Sequence, residues 1–186
     1  TTLFRSYMFF VPGILISVIT FPGVIVHELA HAIFCKLLRI PIYDAKFFQC
    51  SNPCGYVVHE PTDKPLKSLL ISVGPFLINT ILGAIIMLPA SITLIKFREQ
   101  GNFLTLLLGW LGISILMHAF PSTGDAEALI ASVLKNENVN FLFKVVTFPF
   151  IIAIYIGAFG SVVWLDAVYA VAVSMVVPNI LVDLLY

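Results

Sequence analysis

The chain has 186 residues, 60% of them hydrophobic and 11% charged, and its ten basic residues balance ten acidic ones. Mean hydropathy is +1.03. A water-soluble domain carries roughly 25% charged residues and cannot hide this much apolar surface, so the composition places the chain in lipid. Without a net basic field, nucleic acid is excluded as a partner.

A membrane-spanning helix needs about 20 apolar residues at ~1.5 Å rise each. The first apolar run, residues 7–38, exceeds one untilted span and is interrupted at Pro12-Gly13 and Pro22-Gly23. One kinked helix over residues 12–38 is expected. The alternative, a hairpin turning at Pro22-Gly23, would leave backbone groups unsatisfied in lipid. Arg5 ahead of this run resembles the start of a signal peptide, but no small-residue cleavage pattern follows.

Residues 40–65 are polar and rich in turn formers, with two short β-type runs at 45–48 and 55–59. A second span is expected over 66–95, kinked at Gly74-Pro75, and a third over 103–119. The turn Phe120-Pro121-Ser122-Thr123-Gly124-Asp125 then precedes a short helix at 126–134. The apolar tail, residues 139–185, would measure about 70 Å as a helix and is expected to cross twice. The expected fold is therefore an all-α integral membrane protein. It has five transmembrane helices, or six with the hairpin, and a short β segment between the first two spans. We read residues 1–186 as one membrane-embedded domain, with a core over about 12–135 and a C-terminal helical pair over about 139–186.

Lys36, Arg39, Lys46, Lys64, Lys67, Lys135 and Lys144 fall on one face of this arrangement, and Arg5, Lys96 and Arg98 on the other. By the positive-inside rule the first face is cytoplasmic.

Within the first run stands His27-Glu28-Leu29-Ala30-His31. Histidines four apart share a helix face, so both imidazoles can reach one metal ion, and the glutamate between them is placed to take a proton from a bound water. Zinc lowers the pKa of such a water towards 7, so that it attacks a polarised carbonyl at neutral pH. Three ionisable groups in an apolar stretch are costly in lipid and call for a shared partner. A hydrolytic zinc site takes a third protein ligand and keeps one position open. Candidates are Asp44, His59, Glu60, His118, Asp125, Glu127, Asp166 and Asp183. A re-entrant turn at Pro121 and Gly124 can bring Asp125 to the depth of the histidines. Its alternative role is to cap the helix at 126. Asp166 and Asp183 suit helix-end positions in the tail.

These residues resemble the site-2 protease family of intramembrane zinc metalloproteases, over about residues 22–129. The helix motif, the Gly55-Tyr56-Val57 strand, Gly74-Pro75 with Asn79, and the Pro121 to Asp125 turn carry the resemblance. It departs from the family at His118, where asparagine is common, at Ala126, where glycine is common, and by single-residue shifts at Asn79 and before Asp125. The resemblance implies a three-helix catalytic core, one Zn²⁺ per chain held by His27, His31 and Asp125, and Glu28 as catalytic base. No insertion of the PDZ type fits after Gly55.

His118 is expected to stabilise an oxyanion, bond Asp125, ligate zinc, or simply be a satisfied buried histidine. Asn79 is expected to bond between helices or to contact substrate backbone, and Gly55, Tyr56 and Val57 to offer a strand edge to substrate. The expected function is hydrolysis of peptide bonds in membrane-embedded or membrane-tethered proteins, with the active site towards the cytoplasm. The expected partners are a membrane-protein substrate and the lipid bilayer, and the sequence specifies no oligomeric state. Two other readings compete: an inactive metal-binding membrane protein, and an ion transporter, which the lack of an inverted repeat disfavours. Cys35, Cys50 and Cys54 form no secreted disulfide framework. Cys50 and Cys54 share a loop and could pair or help bind a metal, though ordinary roles are expected.

Overall fold

The computed structural model describes residues 13–185. Arg5 and the start of the first apolar run lie outside the described residues. The elements in chain order are α1 (Gly13–Ile19), α2 (Phe21–Leu37), β1 (Ile42–Lys46), β2 (Tyr56–His59) and α3 (Pro65–Ser91), which a widened turn, Ile92–Lys96, prolongs. Then come α4 (Phe103–Met117), α5 (Thr123–Leu129) with a widened turn Ile130–Leu134, α6 (Phe141–Gly160), a 3₁₀ turn Ser161–Val163, and α7 (Leu165–Leu185).

Three helical stretches have the length and apolarity to cross a membrane: Pro65–Lys96, Phe141–Gly160 and Leu165–Leu184. The α1–α2 pair makes a fourth if it is one span, and α4 is apolar but shorter. The described residues thus supply three or four such spans where five or six were expected. The first run is two helices with a sharp bend, a broken span or a re-entrant loop, and the bend lies ahead of Pro22-Gly23. α1 and α2 meet at 87°. The break falls at Thr20, which leaves the helical region at φ −103° and ψ 31°, ahead of Pro22 in the first turn of α2. A proline there costs nothing, since first-turn N–H groups have no helical partner, so Pro22 begins a helix rather than bending one.

β1 and β2 form an antiparallel hairpin, Ala45 opposite Val57 and Lys46 opposite Tyr56, with an irregularity between Ile42 and Asp44. This is the expected β segment, with β1 beginning earlier than its sequence signal.

α2 runs antiparallel to the first half of α3. Near its start, Gly23 lies against Ser114 and His118, and near its end the Leu38 carbonyl accepts from Lys67 Nζ at 2.6 Å. α7 runs parallel to α3: Tyr169 in its first turns bonds Thr80 at 2.7 Å, and Lys96, ending α3, bonds Asn179 at 2.9 Å. α6 instead packs Ile151 and Ile154 onto Ala126, Leu129 and Val133 of the α5 segment. The tail thus supplies two helices long and apolar enough to cross a membrane, as expected, each packed on a different part of the fold. Ring contacts among Phe76, Phe120 and Tyr169 hold α7 to α3, which its pattern of apolar residues alone does not specify.

Among the described glycines the tightest surroundings are at Gly23, where an added Cβ would lie 1.9 Å from the Ser114 carbonyl oxygen. Gly23→Ala must push α2 from α4, at a cost of about 1–3 kcal/mol or more for overpacking. The expected outcome is a lowered thermal unfolding midpoint in detergent. A wild-type midpoint would show that this contact is absent.

Candidate metal centre

His27 and His31 lie one turn apart on α2, their ring centroids 4.9 Å apart. Each ring donates its Nδ1 hydrogen to a main-chain carbonyl: His27 to His118 at 2.7 Å, His31 to Ile71 at 3.1 Å. Both carbonyls are available for a physical reason. Ile71 lies four residues before Pro75, which sits inside α3 without an N–H to offer. His118 follows the end of α4, where carbonyls have no helical partner. A neutral imidazole that donates from Nδ1 has its lone pair on Nε2, so both histidines have the tautomer that a metal ligand needs.

Asp125 supplies the third donor. Its Oδ2 accepts from the Ser122 backbone N–H at 2.8 Å and from the Ser122 hydroxyl at 2.7 Å, completing a capping box at the start of α5. Its Oδ1 faces His31 Nε2 at 3.5 Å. With His31 neutral, two acceptors confront one another there, and a cation satisfies both. The spacing suits one: two donor atoms about 2.0–2.1 Å from a tetrahedral zinc stand roughly 3.4 Å apart. Donor atoms of His27, His31 and Asp125 all lie within 4.8 Å of one another. The helix cap occupies Oδ2 and leaves Oδ1 able to take a metal ion.

Glu28 and His27 line a cavity of about 340 Å³ that reaches from α2 across the hairpin loop to the turn after α4. Gly55 packs directly on Glu28, where an added Cβ would lie 2.7 Å from its Cγ. Tyr56 and Val57 continue from there into β2, and Tyr56 donates its hydroxyl to Asp44 at 2.7 Å, a bond that raises the phenol's pKa.

His118 meets His27 through its carbonyl. The Thr20 hydroxyl donates to the Ile16 carbonyl at 2.7 Å, so the 2.8 Å contact between Thr20 Oγ1 and His118 Nε2 is a bond that the imidazole donates. Nε2 is thereby turned from any metal. Asn79 is fully buried, and its Nδ2 lies 3.1–3.3 Å from the carbonyls of Gly23, Ile115 and His118. It bonds between helices and does not line the cavity beside Glu28.

Of the other candidates, Asp44 is occupied by Tyr56, His59 bonds the Glu60 carbonyl, Glu127 is exposed, and Asp183 faces Lys96 at 3.5 Å. Asp166 accepts from the Ala167 N–H in the first turn of α7, as a helix-end residue does, but it is buried and lines the cavity with Glu28. Sequence reasoning missed Ile71 and Ser122. Pro75 signals the first, through the carbonyl it frees four residues earlier, and a Ser-x-x-Asp pattern signals the second.

No family model, curated protein or solved structure matches the chain. The site is therefore read from its own geometry.

Asp125→Ala should abolish stoichiometric zinc binding. His118→Ala should retain zinc, because the carbonyl that orients His27 survives the substitution. Metal analysis of the purified variants checks this. Zinc kept by Asp125→Ala but lost from His118→Ala would exchange their roles.

Proposed function

We propose that the chain is an intramembrane zinc metalloprotease that resembles the site-2 protease family. The observation carrying this reading is the convergence of two tautomer-fixed histidines and a carboxylate oxygen beside a cavity that Glu28 lines. His27, His31 and Asp125 would hold a zinc ion, which would supply Lewis-acid polarisation of a peptide carbonyl and an acidified water. Glu28, on the cavity wall, would act as the general base that takes up a proton and returns it to the departing peptide nitrogen. Gly55, having no side chain, leaves Glu28 its place at the cavity wall.

The hairpin suits an extended substrate. Helical peptide carbonyls are engaged in internal bonds, so hydrolysis needs an unwound segment. Among the described residues β2 pairs with β1 alone, and its outer edge can hold such a segment by main-chain bonds beside the cavity. Substrates would be membrane-embedded or membrane-tethered proteins. The first turns of α3, with Lys64 and Lys67, would face the cytoplasm along with the site, in a chain that crosses the bilayer several times. A purely metal-binding protein shares the three ligands but leaves Glu28, Gly55 and the cavity without a use.

Glu28→Gln should keep the fold and bound zinc yet lose nearly all cleavage of a model transmembrane substrate, since an amide cannot accept the proton. Cleavage at the wild-type rate would sink the reading. In Gly55→Ala the new methyl displaces Glu28, and a shift of about 1 Å at a reacting group can cost roughly a hundredfold in rate. Zinc content should stay at the wild-type level. An unchanged rate there would mean that Glu28 does not depend on this contact.

A further inference from the structure

Two of the three cysteines lie in the loop of the hairpin, while Cys35 is buried in α2. Gln49 closes the neck of this loop, its backbone N–H donating to the Cys54 carbonyl and its side-chain Nε2 to the Pro53 carbonyl, both at 2.7 Å. Cys50 follows Gln49 on the opposite arm from Cys54. Cys50 is exposed, whereas Cys54 is half-buried and lines the cavity beside Gly55. Burial raises the pKa of the Cys54 thiol, a hydrogen bond from Ser17 lowers it, and the charge of Cys50 raises it. The bond from the Gln49 N–H to the Cys54 carbonyl brings the two arms together at the neck, with Cys50 the next residue after Gln49.

We propose that Cys50 and Cys54 are a reversible disulfide site whose closure deforms the wall of the cavity. The oxidant class is a small disulfide such as oxidised glutathione. The accessible Cys50 thiolate attacks one glutathione sulfur and releases a glutathione thiolate. Cys54, as its thiolate, then attacks the Cys50 sulfur and expels the second glutathione thiolate. The two protons given up by the cysteines go to the two released thiolates, so one disulfide is reduced as the other forms. Bonding to Cys50 draws Cys54 away from Ser17 and shifts the adjoining Gly55 against Glu28. On a cytoplasmic face such a bond is transient and redox-sensing rather than structural. Its effect on hydrolysis rests on the metalloprotease reading, but its formation does not.

The test equilibrates the zinc-loaded full chain in detergent with reduced and oxidised glutathione at graded ratios. Intact mass and alkylatable thiols are then read for wild type, Cys50→Ser and Cys54→Ser. Wild type should lose two hydrogens and two reactive thiols, and recover both with a reductant. Neither variant should do so, and Cys54→Ser should stop at the glutathione adduct of Cys50. A stable adduct in wild type, or no change, overturns the proposal. Cleavage of the model substrate should fall roughly tenfold to a hundredfold in oxidised wild type, the scale of an ångström-sized misplacement, with Cys50→Ser unaffected. A disulfide with unchanged cleavage overturns the control of the cavity. Reduced wild type that cleaves nothing refutes the protease reading instead, while mass and thiol count still decide the bond.

Discussion

The site depends on one constraint: an N–H group in apolar surroundings must find an acceptor, and the helices must free the acceptor for it. Two interruptions do so. Pro75 removes the donor that would have engaged Ile71, and α4 stops at Met117. His31 and His27 donate into the two vacancies. The His118 carbonyl also accepts from Asn79, so one helix end fixes both the His27 ring and the amide joining three segments. Gly23 follows from the same arrangement, because α2 can bring His27 to that carbonyl only if nothing projects towards Ser114.

Asn79 shows how strongly these carbonyls decide local structure. Its Nδ2 meets three of them, while its Oδ1 has no partner among the described residues. An orphaned buried acceptor costs about 1–3 kcal/mol. Turning the amide over would set an oxygen against three oxygens, which is worse. The amide hydrogens therefore stay with the helix ends. Ser122 acts similarly on Asp125: by holding Oδ2 from both its backbone and its hydroxyl, it leaves Oδ1 directed at His31.

Much of this was legible in the sequence, though unevenly. The spacing of His27 and His31 is set by helix geometry, and Asp125 with its turn was recognisable from Pro121 and Gly124. The hairpin also emerged near its expected position, since Val57 and Val58 carry a β signal of their own. The bend at Thr20 did not, because a proline near an interruption reads equally as kink or helix start until its neighbours are known. The direction of α7 was hidden too, as it rests on Tyr169 and Lys96 finding partners some ninety residues away in the chain. His118 was noticed for its imidazole, yet its carbonyl orients His27. Residue type says little about which backbone atoms a fold leaves unpaired.

The interruptions also couple the site to the stability of the fold. A helix that ends inside an apolar bundle leaves carbonyls that lipid cannot satisfy. Here α4 ends against α2 and α3, and the donors meeting its last carbonyls are the ring of His27 and the amide of Asn79. The same imidazole thus serves two needs, closing a broken helix with Nδ1 and offering a lone pair with Nε2. Replacing it by an apolar residue of similar size would remove the Nε2 lone pair and leave the His118 carbonyl to the Asn79 amide alone. The helix breaks and the polar cluster are consequently one feature: the breaks create the acceptors, and the residues that fill them are those that converge beside the cavity.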